Sequence, residues 1–450
     1  MTLSILEKEL QDSEENIVKN RIKTQKDINL LSLFSGCGGM DLGFEGGFKV
    51  LKDSLNKDIN PHWFTKEIDE NWSILKQTRF KTVFANDIRP DAKLAWQSFF
   101  GKRGISSKTY HLESIVDLVK KYHDEGNNSF PENIDVVTGG FPCQDFSIAG
   151  KRQGFNSNKS HTGLLYEASE PSVESRGQLY MWMREVISIT KPKVFVAENV
   201  KGLVNLGDVK EVIENDFRMI GGNGYLVIPA KVLHAAEYGV PQSRERVIFY
   251  GFRKDALNTG TLQELSKDFI SDMYDPYPKK THFLPNDQPN IFAINEEDQR
   301  RKFVTVKQAF VDLKEPEESD DLAQRSYSKA KFMGKHCQGQ TEVNLSGLGP
   351  TIRSEHHGNI EFRRLSEENG GKIGEELSKG MKQRRLTVRE CARIQTFPDD
   401  YEFVWKKNEN TNGLSASSAY KIIGNAVPPL LGYHIAKRLE DNWDLYFKGE

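Results

Sequence analysis

The chain has 450 residues, 37% hydrophobic and 28% charged, with 62 Lys and Arg against 64 Asp and Glu for a formal net charge of −2. That is the composition of a globular protein with a large core, and its near-neutral balance argues against a surface that coats nucleic acid throughout. No apolar run reaches the roughly 18 to 20 residues of a spanning helix, and the N-terminus carries acids where a signal peptide has its apolar core, so a cytoplasmic protein without membrane contact is expected.

Residues 1–27 are polar with an apolar side chain every third or fourth position (Leu3, Leu6, Leu10, Ile17), which predicts a short docking helix. The run INLLSLFSGCGGMDLGF then reads as a buried strand, a glycine-rich turn and a helix. Further strands are predicted at Thr82 to Asn86, Ile134 to Thr138, Lys193 to Ala197, Tyr225 to Lys231 and Arg246 to Phe252, with helical or loop stretches between them. Strand, crossover, strand is the rhythm of a parallel, doubly wound α/β sheet. From about Ala256 to Met381 the rhythm gives way to polar sequence punctuated by Pro and Gly, which predicts a second, smaller and more irregular lobe. Order returns with LTVRECARIQTF, a helix with Thr387 placed to cap it, and with GNAVPPLLGYHIAKRL, a terminal helix whose prolines sit near its first turn. The four cysteines, Cys37, Cys143, Cys337 and Cys391, are far apart and form no CxxC pair, so a reduced, metal-free protein is expected.

Reactive groups recur at strand ends. The turn from Phe34 to Gly39 follows the first strand, where glycines let backbone approach a ligand or simply make a tight turn. Asp87 ends a later strand and suits the hydroxyls of a ribose. Cys143 follows Gly139-Gly140-Phe141-Pro142 at another strand end, a place where open α/β sheets hold their ligands, although most cysteines are inert core. Glu198 leaves the strand KVFVA; facing water it is an ordinary strand end, and facing a cavity it becomes a proton donor near neutral pH. Arg244 and Arg246 alternate on entry to a strand and should share a face, either pairing with Glu245 or Glu237 or gripping a base oxygen or phosphate. Basic clusters at Lys151-Arg152, Arg244 to Arg246, Arg363-Arg364 and Lys382 to Arg385 would make a local cationic cleft.

The ordered set FSGCGG, GGFPCQDFS, AENV, QSRERV, RLTVRECARIQTFPDDY and GNAVPPLL, spread from Phe34 to Leu431, closely resembles the motif series of bacterial DNA (cytosine-5)-methyltransferases of type II restriction-modification systems. The resemblance implies a Rossmann-like catalytic domain over 28–255, a target-recognition domain over 256–381, and a segment 382–450 that returns to complete the catalytic domain. It implies that Cys143 adds to C6 of a flipped cytosine, that Glu198 contacts N3 and the exocyclic amine, and that Arg244 holds the base O2. Asn199, Gln242 and Arg246 fall in the same catalytic group. The implied methyl donor is S-adenosylmethionine, leaving as S-adenosylhomocysteine, with no metal. Phe34 would stack on adenine, Ser35, Gly36, Cys37, Gly38 and Gly39 would cradle the methionine end, and Asp87 would bind the ribose. Ile88, Glu113, Pro142, Leu179, Asn425 and Ala426 match further pocket positions, with Ile88 standing where some relatives have a large aromatic and Glu113 where aspartate is commoner. Gln153 resembles part of the loop that closes on the minor groove, Thr351 a threonine at the backbone beside the target, and Arg353 is a candidate for guanine contact. The implied partners are double-stranded DNA and a cognate restriction endonuclease, with the enzyme a monomer. Rival readings are a tRNA cytosine-5 methyltransferase, a nicotinamide-dependent oxidoreductase and a catalytically silent DNA-binding protein. Extra sequence at 51–80 and 156–174 is expected to decorate the surface or to alter loop closure.

Overall fold

Runs rich in Val, Ile, Phe and Tyr become strands here because most are buried on both faces, which an extended backbone permits when every second side chain points the same way. The computed structural model describes residues 26–142 apart from 127, and 179–449 apart from 206–207, 286, 288–297, 335, 355–359 and 407–412. The N-terminal arm through residue 25, Cys143, Gln153 and the insertion at 156–174 therefore lie outside the described residues.

In chain order the elements are β1 (Ile28–Leu33), α1 (Gly39–Glu45), β2 (Lys49–Leu51), β3 (Phe64–Glu67), β4 (Trp72–Leu75), β5 (Phe80–Asp87), α2 (Pro90–Lys102), β6 (Tyr110–Leu112), α3 (Ile115–Glu125) and β7 (Val136–Gly140). The chain continues with α4 (Leu179–Thr190), β8 (Val194–Val200), α5 (Val209–Arg218), β9 (Tyr225–His234) and β10 (Glu245–Arg253). Seven strands form the central sheet in the order β6-β5-β1-β7-β8-β10-β9. Leu30, Val136, Val194, Val196, Ile248 and Tyr250 face one buried cluster, shared with α1 and α2. Their neighbours Leu31, Val137, Phe195, Ala197, Val247 and Phe249 face a second, covered by α3, α4 and α5. The two clusters are the two layers of a doubly wound fold.

The sheet is parallel except at one strand. The strands β6, β5, β1, β7 and β8 pair in parallel, but β10 is antiparallel to both β8 and β9. Only residues 235–244 join β9 to β10, too few for a helical crossover, so the pair forms a hairpin. The reversal has a functional effect: it brings the start of β10, with its arginines, to the edge where the parallel strands end.

The insertion after β2 is a brace. The strands β2, β4 and β3 form a separate antiparallel sheet. Trp72 on β4 is 6% exposed, donates from Nε1 to Asp312 Oδ2 at 2.8 Å, and lies under the Arg393 guanidinium, 4.8 Å from its centroid. Asn56 donates to the carbonyls of Thr281 and Gln299, at 3.0 and 2.7 Å. These contacts tie the inserted sheet to the polar region beyond β10.

That region holds few and short elements: α6 (Thr259–Leu265), α7 (Val306–Ala309), α8 (Leu322–Arg325), β11 (Phe362–Arg364), α9 (Gly374–Ser378) and β12 (Arg384–Arg385), the last pairing with β11. Buried ion pairs take the place of regular structure. Arg364 meets Glu315 and Glu376, and Arg384 meets Glu315 and Glu390. The chain ends with α10 (Val388–Ile394), α11 (Ala416–Asn425), α12 (Pro429–Asp441) and α13 (Trp443–Tyr446). Thr387 caps α10 as its sequence predicts, accepting from Glu390 N at 3.0 Å in a capping box. The terminal α12 crosses α1 where two glycines face each other; a Cβ on Gly43 would lie 2.7 Å from Gly432 Cα. Among the described residues no helix is long and apolar enough to cross a membrane.

Candidate active site

The carboxyl ends of β1, β5, β7 and β8 and the start of β10 share one edge of the sheet. There Glu198 pairs in register with Gly140 on one side and with Ile248 on the other. Glycine at 140 leaves the space the carboxylate occupies, since a Cβ there would sit 2.8 Å from Glu198 Oε2. Arg246 reaches across from β10, its Nε 2.6 Å from Glu198 Oε1. Burial pushes the Glu198 carboxyl up from its ordinary value, and the Arg246 and Arg244 charges oppose that rise. Asn199 is buried and donates to the Phe141 carbonyl at 3.2 Å, which fixes the main chain leading to Pro142 and Cys143.

Arg244 and Arg246 do not share a destination. Arg244 is 1% exposed and lies before β10 begins, and its guanidinium donates to three main-chain carbonyls: Ile352 at 3.1 Å, Gly424 at 2.9 Å and Ala426 at 2.8 Å. It joins the catalytic edge, the 351–354 segment and the end of α11. The resemblance assigns Arg244 to the base O2; here its guanidinium is buried and gives donors to three main-chain carbonyls, which makes it part of the scaffold's hydrogen bonding. Gln242 is likewise fully buried and donates to Gln395 Oε1 at 2.8 Å, and Gln395 in turn donates to the carbonyls of Ile423 and Ala426. Thr351 donates to the Ser243 carbonyl, and Ser243 N to the Gly349 carbonyl at 2.8 Å, so residues 349–353 run beside 242–244. Gln395 was invisible as a site residue from sequence; its position in RIQTF marks a helix end and nothing more.

The predicted cofactor residues gather beside this edge. Phe34 takes a left-handed φ of 53° to open the turn, and Ser35 N donates to Asn86 O at 2.8 Å. Asp87 accepts from Gly36 N and Arg89 N, both at 3.0 Å, and burial raises its carboxyl pKa against the pull of those amides. Among the described residues, nothing lies within 4 Å of the Cβ position of Gly36, whose φ is +54°, so the turn presents open space to them there. The glycines after it answer to packing instead: a Cβ on Gly38 would meet Trp96 and Phe100, and one on Gly39 would lie 2.2 Å from the Val427 carbonyl. Cys37 is buried with its thiol pushed well above the usual range by that burial, so only its main chain can line a pocket. Ile88 is 45% exposed beside Asp87, Glu113 pairs with Lys121, Leu179 is buried at the start of α4, and Asn425 and Ala426 end α11 near Gly39. Under the turn, Asp41 is fully buried, accepting from Ser32 Oγ and from Trp96 Nε1 at 2.8 Å; the sequence analysis did not single it out.

Residues 28–441 match the family model of C-5 cytosine-specific DNA methylases. The chain belongs to that family. Among curated proteins it is 32% identical over 433 residues to the type II methyltransferase M.BspRI of Lysinibacillus sphaericus, covering 94% of this chain and 84% of that protein. It is 31% identical over 442 residues to the type II methyltransferase M.BsuRI of Bacillus subtilis, covering 97% and 84%. Among solved structures, the Entamoeba histolytica methyltransferase EhMeth aligns with TM-score 0.53 at 15% identity, over 93% of this chain and 100% of that one. The S. pombe Dnmt2 methyltransferase aligns with TM-score 0.51 at 16% identity, over 92% and 99%. Both likenesses bear on the fold. Use of S-adenosylmethionine follows from membership of the C-5 cytosine methylase family, and the residues present fit it: an open glycine at the first turn stands beside a carboxylate already held as an acceptor by two amides.

Proposed function

We propose that this protein methylates C5 of a cytosine swung out of double-stranded DNA, with Cys143 as nucleophile and with Glu198 and Arg246, rather than Arg244, holding the base. One observation carries the reading: the buried Glu198–Arg246 pair stands beside Gly140, three positions before Cys143, on the same edge as the glycine turn and Asp87. Phe34 and the main chain of the 35–39 turn, with Asp87, Ile88, Pro142, Leu179 and Asn425, form the cofactor pocket. When bound there, S-adenosylmethionine supplies an electrophilic sulfonium methyl.

C5 of cytosine is a poor nucleophile until a thiolate adds to C6. Glu198, its carboxyl pKa raised by burial against the opposing Arg246 and Arg244 charges, is suited to pass a proton to N3 as the attack drives charge into the ring. Arg246 is suited to donate to O2, where fixed donors stabilise developing charge without reorganising. A base must then remove the C5 proton so that Cys143 can leave. C6 is hidden within the stack, so the target has to be flipped first. The region 256–381 is read as the target-recognition part, Thr351 and Arg353 as DNA contacts within it, and the segment around Gln153 as the closing loop. Protection of cytoplasmic DNA from a cognate endonuclease fits the type II names of its relatives, and the enzyme is taken to act as a monomer. The family match counts against an oxidoreductase.

A duplex carrying 5-fluorocytosine at the target, mixed with S-adenosylmethionine, is expected to trap a covalent complex that Cys143→Ser abolishes. Methylation by the serine variant, with no adduct from the parent on a verified target, would remove Cys143 from its role. Bisulfite sequencing of DNA from expressing cells supplies that target.

A further inference from the structure

The polar region beyond β10 contains a loop whose shape rests on one buried cation. Arg385 is 1% exposed, and its guanidinium donates to the carbonyls of Ala330 at 2.8 Å, Lys331 at 3.0 Å, Gly339 at 2.8 Å and Ile360. It also donates to Gln340 Oε1 at 3.4 Å and stacks 4.0 Å from the centroid of Phe362. Gln340 Oε1 accepts in turn from Met333 N at 2.9 Å. Taking a guanidinium out of water is costly, and here most of the return is main-chain fixation of a segment that has neither helix nor strand.

What this fixed loop presents is the exposed side chain of Gln338, whose Oε1 accepts from Arg353 Nη1 at 2.7 Å. Arg353 is fixed from its other side. The carbonyl of the preceding residue, Ile352, takes Arg244 Nη1, and a Cβ on Gly424 would lie 2.5 Å from the Arg353 carbonyl carbon. Arg353 thus stands one residue from the clamp that leads into β10 and the Glu198–Arg246 pair. Among the described residues its Nε and Nη2 donate no hydrogen bond.

We propose that Gln338 and Arg353 form one reading unit for a guanine near the target cytosine: Gln338 holds Nη1 and turns the Nε–Nη2 edge outward to pair with guanine N7 and O6. This rests on the reading of 256–381 as the DNA-recognition part. A guanidinium free to rotate pays rotamer entropy on binding, and one held by a neutral acceptor arrives already aimed. Guanine is the base whose major-groove edge offers two acceptors spaced for such a fork. Arg353 is the contact in this unit and Gln338 its positioning residue.

The test uses the full chain and its target site from bisulfite sequencing. Initial methylation rates are measured on the cognate duplex and on duplexes with each base pair of the site changed in turn. Arg353→Ala is expected to lower kcat/KM on the cognate duplex by roughly 5- to 150-fold and to erase discrimination at one G·C pair only. Gln338→Ala should weaken discrimination at that same pair by a smaller factor, and Gln338→Glu, which keeps an acceptor, should restore it. Cofactor affinity by titration calorimetry and the melting temperature should match the parent in all three. Losses at different pairs, discrimination retained at every pair, or a uniform fall across all sequences, as a phosphate contact gives, would each overturn the unit. A parent that methylates no duplex DNA would instead sink the recognition reading itself, and the unit with it.

Discussion

Replacing the two arginines one at a time separates scaffold from chemistry. Arg244→Met leaves three buried carbonyls without their guanidinium; Ala426 O keeps the Gln395 Nε2 donor at 3.1 Å, and the carbonyls of Ile352 and Gly424 lose theirs. An orphaned buried acceptor costs about 1–3 kcal/mol, so the two together cost about 2–6 kcal/mol, less whatever the methionine regains by packing. In a chain of this size that lowers the melting temperature by roughly 2–6 °C. Arg246→Met removes the partner of Glu198 instead, and because burial already favours the neutral carboxyl, Glu198 takes up a proton and the stability loss stays smaller. Loss of a donor aimed at developing charge is worth roughly 100- to 1000-fold in rate. The assay is the rate of covalent trapping on the 5-fluorocytosine duplex per folded molecule, read beside a thermal melt. Arg244→Met should melt early and trap at a near-parental rate below its transition, and Arg246→Met should melt nearly normally and trap slowly. An Arg244→Met protein with the parental melting temperature and no adduct, alongside an Arg246→Met protein that traps at full rate, would refute the division of roles.

Further expectations follow from other parts of the fold. Burial lifts the Asp41 carboxyl to about 7, against hydrogen bonds from Ser32 and Trp96 that favour its charged form. Its folded pKa is above its unfolded one, so its contribution to stability is complete below about pH 4 and is lost as pH rises towards 7. Asp41→Asn should therefore flatten that part of the stability profile in denaturant unfolding, and an unchanged slope would count against a protonated Asp41. Gly36→Ala should cost only about 1–2 kcal/mol, from its positive φ, yet weaken cofactor binding by calorimetry. Gly39→Ala should hurt folding first, because its Cβ meets a main-chain carbonyl; equal cofactor affinity for Gly36→Ala and the parent would show that the turn does not face the ligand. Trp72→Ala should cost about 3–5 kcal/mol in unfolding experiments if the inserted sheet is a brace, and less than about 1 kcal/mol if it only decorates the surface.

By itself the sequence determined the elements and the kinds of groups at their ends. Two-face burial shows as unbroken apolar runs, so the strands around Leu30, Val137, Phe195 and Phe249 were legible, as was the Thr387 cap, because both depend on neighbours along the chain. The motif series placed the glycine turn, Asp87 and Glu198 at strand ends for the same reason. Tertiary structure alone decided which of two arginines at i and i+2 meets that carboxylate: alternation says only how they point, and the main-chain carbonyls that capture Arg244 come from residues 352, 424 and 426. It also decided that β10 runs backwards, that Gly39 serves a contact with Val427, and that residues 51–80 brace a distant lobe. Each of these is set by contacts between segments far apart in the chain, and no local pattern encodes a partner that folding alone brings near.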